Sequence, residues 1–254
     1  MCAGCPDLQE LTDSEQILTG VGISFKTISI NKHRHLCNCR CVYCSLWQGA
    51  SDSYEILTPL KSLHTQNVLD KDCLFSWGGG EPGILREFEE TSQWILSQGY
   101  RQYVHTNGLR FSPAIAALLQ RETGGINISL DSACPETYKK VKGVNGFDRV
   151  TANLDAYLES AINKRAVHVK YIVFELNNSL KEIEKFFHLC QKTGVTDVQL
   201  SLNFNEVNTN TVSQQTLEAA LLFIKLSHNL GMHCSPFFID EKYLFKIQDI
   251  ARKE

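Results

Sequence analysis

The chain has 254 residues, 43% of them hydrophobic and 21% charged, with a net charge of −3. That length allows one large α/β domain with a buried core or two small ones, and the slight acidity argues against a general nucleic-acid binder. The longest wholly apolar runs, such as residues 219–224, are too short to span a bilayer, and the first residues are neither basic nor apolar, so a soluble, cytoplasmic protein with no membrane partner is expected.

In chain order, residues 1–20 read as a loose N-terminal arm that carries Cys2 and Cys5 in a C-x2-C pair. The pair could ligate an auxiliary metal cluster, but a frayed terminus is the simpler expectation. Beyond the arm, apolar runs of strand length alternate with helical patterns. Strands are expected at 26–30, 73–77, 103–105, 126–130, 167–174 and 198–202. Helices are expected at 87–98, 113–120 (opened by Pro113), 150–161 and 180–192. Gly99, Gly124 and Gly194 fall where helices should stop. Six such alternations predict a parallel sheet with right-handed crossovers. With no low-complexity linker or repeat, residues 21–212 read as one core, and 213–254 as a C-terminal helix (214–230) and tail.

The strands carry a face pattern. Ile126, Ile128 and Leu130 alternate with Asn127, Ser129 and Asp131; Val169, Tyr171 and Val173 with His168, Lys170 and Ile172; Val198, Leu200 and Leu202 with Gln199, Ser201 and Asn203. A ligand-free barrel fills its interior with branched apolar side chains. A polar strand face is what a sheet curved around a polar ligand would show.

Chemistry-bearing residues collect after the strands, on what would be one rim. After the first comes Cys37-Asn38-Cys39-Arg40-Cys41-Val42-Tyr43-Cys44, in which Cys37, Cys41 and Cys44 form a C-x3-C-x2-C loop. Thiolates this close can reach one metal centre, and soft sulfur selects iron–sulfur clusters, zinc or copper(I). The chain's ten cysteines are bunched, which suits ligands better than a disulfide framework. Cys39, at an odd offset, is expected to point away from the cluster and not to ligate it. The second strand runs into Gly78-Gly79-Gly80-Glu81-Pro82, where bare backbone can approach a ligand closely. The third ends in His105-Thr106-Asn107-Gly108 and the fourth in Ser129-Leu130-Asp131-Ser132, followed by Pro135-Glu136-Thr137-Tyr138.

Together these motifs, spanning roughly residues 25–205, resemble the radical S-adenosylmethionine (SAM) enzymes. The fourth looks most like the branch of SPASM-type maturases and polysaccharide- and peptide-modifying proteins, without the cysteine-rich C-terminal extension of the maturases. The resemblance implies a partial (β/α)6 TIM-like barrel of parallel strands. It implies a 4Fe–4S cluster on Cys37, Cys41 and Cys44, whose fourth iron is left for the amino and carboxylate groups of SAM. Gly79, Gly80 and Glu81 would meet the methionyl ammonium, and the Tyr43 backbone would border adenine. Ser129 would contact ribose or carboxylate, Lys170 would pair with carboxylate, and Leu202 would pack on adenine. Reductive cleavage of SAM would yield a 5′-deoxyadenosyl radical that abstracts hydrogen from a polar substrate, a sugar or a peptide. The electron donor would be a protein such as flavodoxin or ferredoxin. Three alternatives remain at this level: a glycyl-radical activase acting on a partner protein, an electron-transfer iron–sulfur protein, and a zinc-stabilised binding module. Zinc wants four ligands, and only His33 and His35 lie near the loop.

Overall fold

The computed structural model describes residues 24–31, 33, 35–49 and 55–253. The 1–20 arm, with Cys2 and Cys5, lies outside the described residues. Seven strands form one parallel sheet in sequential order: β1 (Phe25–Ile30), β2 (Leu69–Trp77), β3 (Arg101–Thr106), β4 (Gly124–Ser129), β5 (Val167–Val173), β6 (Asp197–Leu202) and β7 (His233–Pro236). Each strand pairs in parallel with the next, and the sheet is not closed into a barrel, so the fold is a partial TIM-like one.

Helices connect the strands: α1 (Leu57–Thr65), α2 (Phe88–Ser97), α3 (Pro113–Gln120), α4 (Pro135–Lys142), α5 (Phe147–Ser160), α6 (Leu180–Thr193), α7 (Phe204–Thr209), α8 (Gln214–Asn229) and α9 (Glu241–Ala251). Local chemistry explains several of their ends. Pro113 sits in the first turn of α3, and the Ser112 side chain accepts from the Ile115 amide. Gly194 closes α6 in the left-handed conformation, its amide donating to the Cys190 and Gln191 carbonyls. Gly99 also has positive φ just beyond α2, as expected. Gly124 does not stop a helix. It opens β4, where a Cβ would lie 1.6 Å from the Gln102 carbonyl oxygen, so glycine is needed for β3 and β4 to approach.

The six expected strands are present with ends shifted by a few residues. The seventh, His233-Cys234-Ser235-Pro236, has no apolar alternation to announce it; pairing with β6 makes it a strand. With α9, it extends the sheet into the region expected to hold a helix and tail.

The core lies between the sheet's outer face and the helices. On β5, Val167, Val169, Tyr171 and Val173 are buried while His168, Lys170 and Ile172 are partly exposed on the concave face. Tyr171 packs 4.8 Å from Phe186 of α6 and 5.8 Å from Phe223 of α8, ring centroid to centroid. Each such side chain contributes about 1.5–3 kcal/mol of burial. No helix among the described residues is long and apolar enough to cross a membrane.

The concave face is polar, but much of it is self-satisfied. Asn127 donates to Gln199, Gln199 donates to the Tyr103 hydroxyl (3.3 Å), and Tyr103 meets His168 Nδ1 at 3.1 Å. Ser201 donates to the Leu202 carbonyl, and Asn203 caps α7 by accepting from the Asn205 amide. Apart from the Asn127 side-chain oxygen, which is buried without a partner among the described residues, these groups are paired within the protein and form a smaller surplus than the strand pattern alone suggests.

Candidate active site

The cysteine loop follows β1 and is held from three sides. Its Arg40 and Val42 amides donate to the Lys142 and Val141 carbonyls at the end of α4 (2.8 and 3.0 Å). The Glu81 amide donates to the Leu36 carbonyl (2.7 Å), joining the loop to the glycine turn after β2. Asn107, after β3, donates through Nδ2 to Asn38 Oδ1 (2.7 Å) and lies 3.9 Å from Cys37 Sγ. The close approach to α4 requires Gly143: it has φ of +70°, and a Cβ there would meet the Arg40 carbonyl oxygen at 2.6 Å.

Cys37, Cys41 and Cys44 line one cavity of about 290 Å³, together with Tyr43, Gly79, Gly80, Glu81, Ser129 and Lys170. The structure thus brings together every expected site residue except Leu202. Leu202 is 1% exposed in the hydrophobic core, on the strand face opposite Ser201, and does not line this cavity.

Three side chains have partners that the sequence does not reveal. Glu81 is buried, and its carboxylate accepts from Gly83 N (3.0 Å), Thr106 Oγ1 (2.7 Å) and Asn107 N (2.6 Å). Burial raises its pKa, against which these three donors act. The carboxylate therefore fastens the glycine turn to the end of β3. Tyr43 does more than offer backbone: its hydroxyl donates to Asp131 Oδ2 (2.6 Å) and accepts from Lys142 Nζ (2.9 Å). Cys39 does not point away. It is buried and lines the same cavity, its amide donates to Cys37 Sγ (3.4 Å), and the neighbouring Cys37 and Cys41 sulfurs push its pKa up.

The donor set suits a cluster. The Cys39 contact draws the Cys37 thiol down to about 7 and, with help from Lys142, the Cys41 thiol down to about 6; burial pushes Cys44 up. Among the described residues no three His, Cys, Asp or Glu side chains are placed to hold a single metal ion. A four-iron cluster takes its thiolates on separate irons and does not need them to converge on one point. His33 is buried with its ring centroid 6.3 Å from that of Trp77, and His35 Nδ1 lies at the Leu46 carbonyl, so neither completes a zinc set with the cysteines.

On the far side of the cavity, Ser129 Oγ, Lys170 Nζ and the His105 ring have no hydrogen-bond partner among the described residues. Lys170 Nζ stands 4.5 Å from the Phe237 ring centroid, and burial lowers its pKa. His105 lies between Tyr103 (5.1 Å) and Phe237 (6.2 Å), and burial, then the Lys170 charge, lowers its pKa to about 4. Lys142 escapes the sequence reading because it resembles any other lysine at a helix end, and His105 is placed on the rim with Thr106-Asn107-Gly108 but given no role of its own.

The Radical SAM superfamily model matches residues 31–190. A probable GTP 3′,8-cyclase of Saccharolobus islandicus is 32% identical over 169 residues, covering 65% of this chain and 53% of that protein. The GTP 3′,8-cyclase of Haemophilus influenzae is 31% identical over 156 residues, covering 59% of this chain and 45% of that protein. The chain thus spans about half the length of these relatives. Among solved structures, Streptococcus suis SuiB bound to precursor peptide SuiA superposes with a TM-score of 0.67 at 13% identity, covering 89% of this chain and 51% of that one. The structure of anSMEcpe with bound AdoMet and Cp18Cys peptide superposes with a TM-score of 0.62 at 15% identity, covering 83% and 63%. At these identities the structural likeness speaks for the fold alone. The chain belongs to the radical SAM superfamily. It is an enzyme of that class, whose cofactors are a 4Fe–4S cluster and SAM.

Proposed function

We propose that this chain carries the catalytic core of a radical SAM enzyme acting on a polar substrate, with the cluster on Cys37, Cys41 and Cys44. The observation that carries this is the single cavity shared by three thiols, two bare glycines and a set of unpartnered polar groups. When bound on Cys37, Cys41 and Cys44, a cluster would supply the electron for reductive cleavage of SAM. The backbone of Gly79 and Gly80 receives the methionyl ammonium, and the Tyr43 backbone borders adenine. Ser129 and Lys170 orient the carboxylate, for which a half-buried ammonium with no ion-pair partner among the described residues is suited. His105, neutral at physiological pH, offers the substrate a hydrogen bond beside them. A hydroxyl- or amide-bearing substrate satisfies His105, whereas a hydrocarbon would leave its ring nitrogens unpaired. The names of the relatives point to a nucleotide and the SuiB complex to a peptide; both are polar, and a sugar fits equally well. A flavodoxin or ferredoxin in a reducing cytoplasm would provide the electron.

The test is anaerobic incubation of reconstituted protein with dithionite and SAM, then with nucleotides, sugars and peptides deuterated at carbon. The expected result is 5′-deoxyadenosine, carrying deuterium from a polar substrate. No SAM cleavage from a fully loaded protein would favour an electron-transfer role, and deuterium transfer solely from an apolar compound would refute the substrate class.

A further inference from the structure

Beneath the cysteine loop lies an ion pair that the proposed chemistry does not use. Lys142 and Asp131 are paired with side chains 1% and 0% exposed. Burying such a pair costs several kcal/mol per ion before the mutual attraction is counted, and well-packed apolar residues often do as well or better. Stability alone is therefore a weak reason for its presence.

Its geometry is fixed from all sides. Asp131 has φ of +54°, an unusual conformation for a residue other than glycine. It is held there by Oδ1 accepting from the Ile172 amide (2.7 Å) and by its carbonyl accepting from Asn177 Nδ2 (2.9 Å). Its Oδ2 accepts from both Lys142 and Tyr43. Tyr43 belongs to the cysteine loop, and the Lys142 carbonyl accepts from Arg40 in the same loop. The ends of β4 and α4 are thus tied to the cysteines by side chain and by backbone.

The pair is also oriented. Lys142 lines the cavity with the three cysteines, and Asp131 does not. The positive end of the pair therefore faces the sulfur ligands, while the negative end is absorbed by amide and hydroxyl donors.

We propose that Lys142 is a positioning residue for the cluster, seating the cysteine loop through Asp131 and Tyr43 and placing one fixed positive charge beside the sulfur ligands. Reduction adds an electron to the cluster, and a fixed nearby cation in a water-poor site stabilises the more negative state. The same charge would favour the first electron transfer from the donor.

The test is an EPR-monitored redox titration of anaerobically reconstituted wild type, Lys142→Arg, Lys142→Gln and the neutral double variant Lys142→Met/Asp131→Asn. Iron content and the circular dichroism of the cluster-free chains are measured alongside. Lys142→Arg should keep the wild-type midpoint, and both neutral variants should shift to more negative potential, or stay folded yet fail to load iron. A neutral variant with the wild-type iron content and midpoint would overturn the proposal. So would neutral variants that unfold without the cluster while Lys142→Arg stays folded, since the pair would then hold the fold and not the cluster. Wild type that takes up no iron would bring down the cluster reading as well, which separates the two failures.

Discussion

Glu81 is marked in the sequence by its place after three glycines, and an acidic side chain there suggests a contact with the SAM ammonium. Its carboxylate instead accepts three hydrogen bonds from Gly83, Thr106 and Asn107. Two of those donors sit 25 and 26 residues further on, so no local pattern could reveal them. Glu81→Gln keeps one acceptor oxygen and puts an amide donor against the others. It should cost about 1–3 kcal/mol of stability in the cluster-free protein, measured by urea unfolding. Any loss of SAM affinity, read by calorimetry on reconstituted protein, should be secondary to that. A steep loss of affinity at unchanged stability would mean that the carboxylate reaches the cofactor after all. The three candidate ligands are the opposite case, because C-x3-C-x2-C lies within one loop and its chemistry is readable without any knowledge of the fold.

At the scale of elements, β6 shows why strand position alone misplaces a residue. All six of its residues are buried, so burial does not distinguish its faces. The partners do: Gln199 hydrogen-bonds Asn127 and Tyr103 on the concave side, and Leu202 belongs to the core on the other. Leu202→Ala should therefore destabilise the protein by about 2–5 kcal/mol, as deletion of a buried leucine does, and leave SAM affinity unchanged. Thermal unfolding and calorimetry read the two effects separately, and weakened SAM binding in a stably folded variant would return Leu202 to the site. The strand β7 was illegible for a related reason. Its four residues lack apolar alternation, and the register against β6, from Asp197↔His233 to Leu200↔Pro236, makes them a strand. Its neighbour Phe237, whose amide donates to the Leu200 carbonyl (2.7 Å), then stands beside Lys170 and His105.

At the scale of the whole molecule, the fold carries two histidines that it keeps neutral. Burial lowers the pKa of His33 to about 4, and burial with the Lys170 charge does the same for His105, from an ordinary value of 6.5. Between those values the unfolded chain binds protons that the folded chain refuses, so stability should fall as pH drops from 6.5 towards 4. Urea unfolding of the cluster-free protein across that range should show the decline, and His105→Gln should flatten it. A variant with the wild-type slope would mean that His105 titrates normally in the folded state.

Two kinds of information were local and therefore present in the amino-acid order. The alternation of strand-length and helix-length patterns reported a parallel α/β sheet, because periodicity reflects which face of an element is buried. The cysteine spacing and the glycine run reported a metal and cofactor site, because their function needs neighbours in the chain. Tertiary structure decided the rest. Tyr43 meets Asp131 across 88 residues and Lys142 across 99, and such pairings depend on strand register and on how a helix end abuts a loop. The same packing turned Leu202 into the core, drew Cys39 against its neighbours and left Lys170 and His105 facing the cavity. A side chain's partners follow from where distant backbone is placed, and that placement is settled by the summed burial of the whole sheet and its helices.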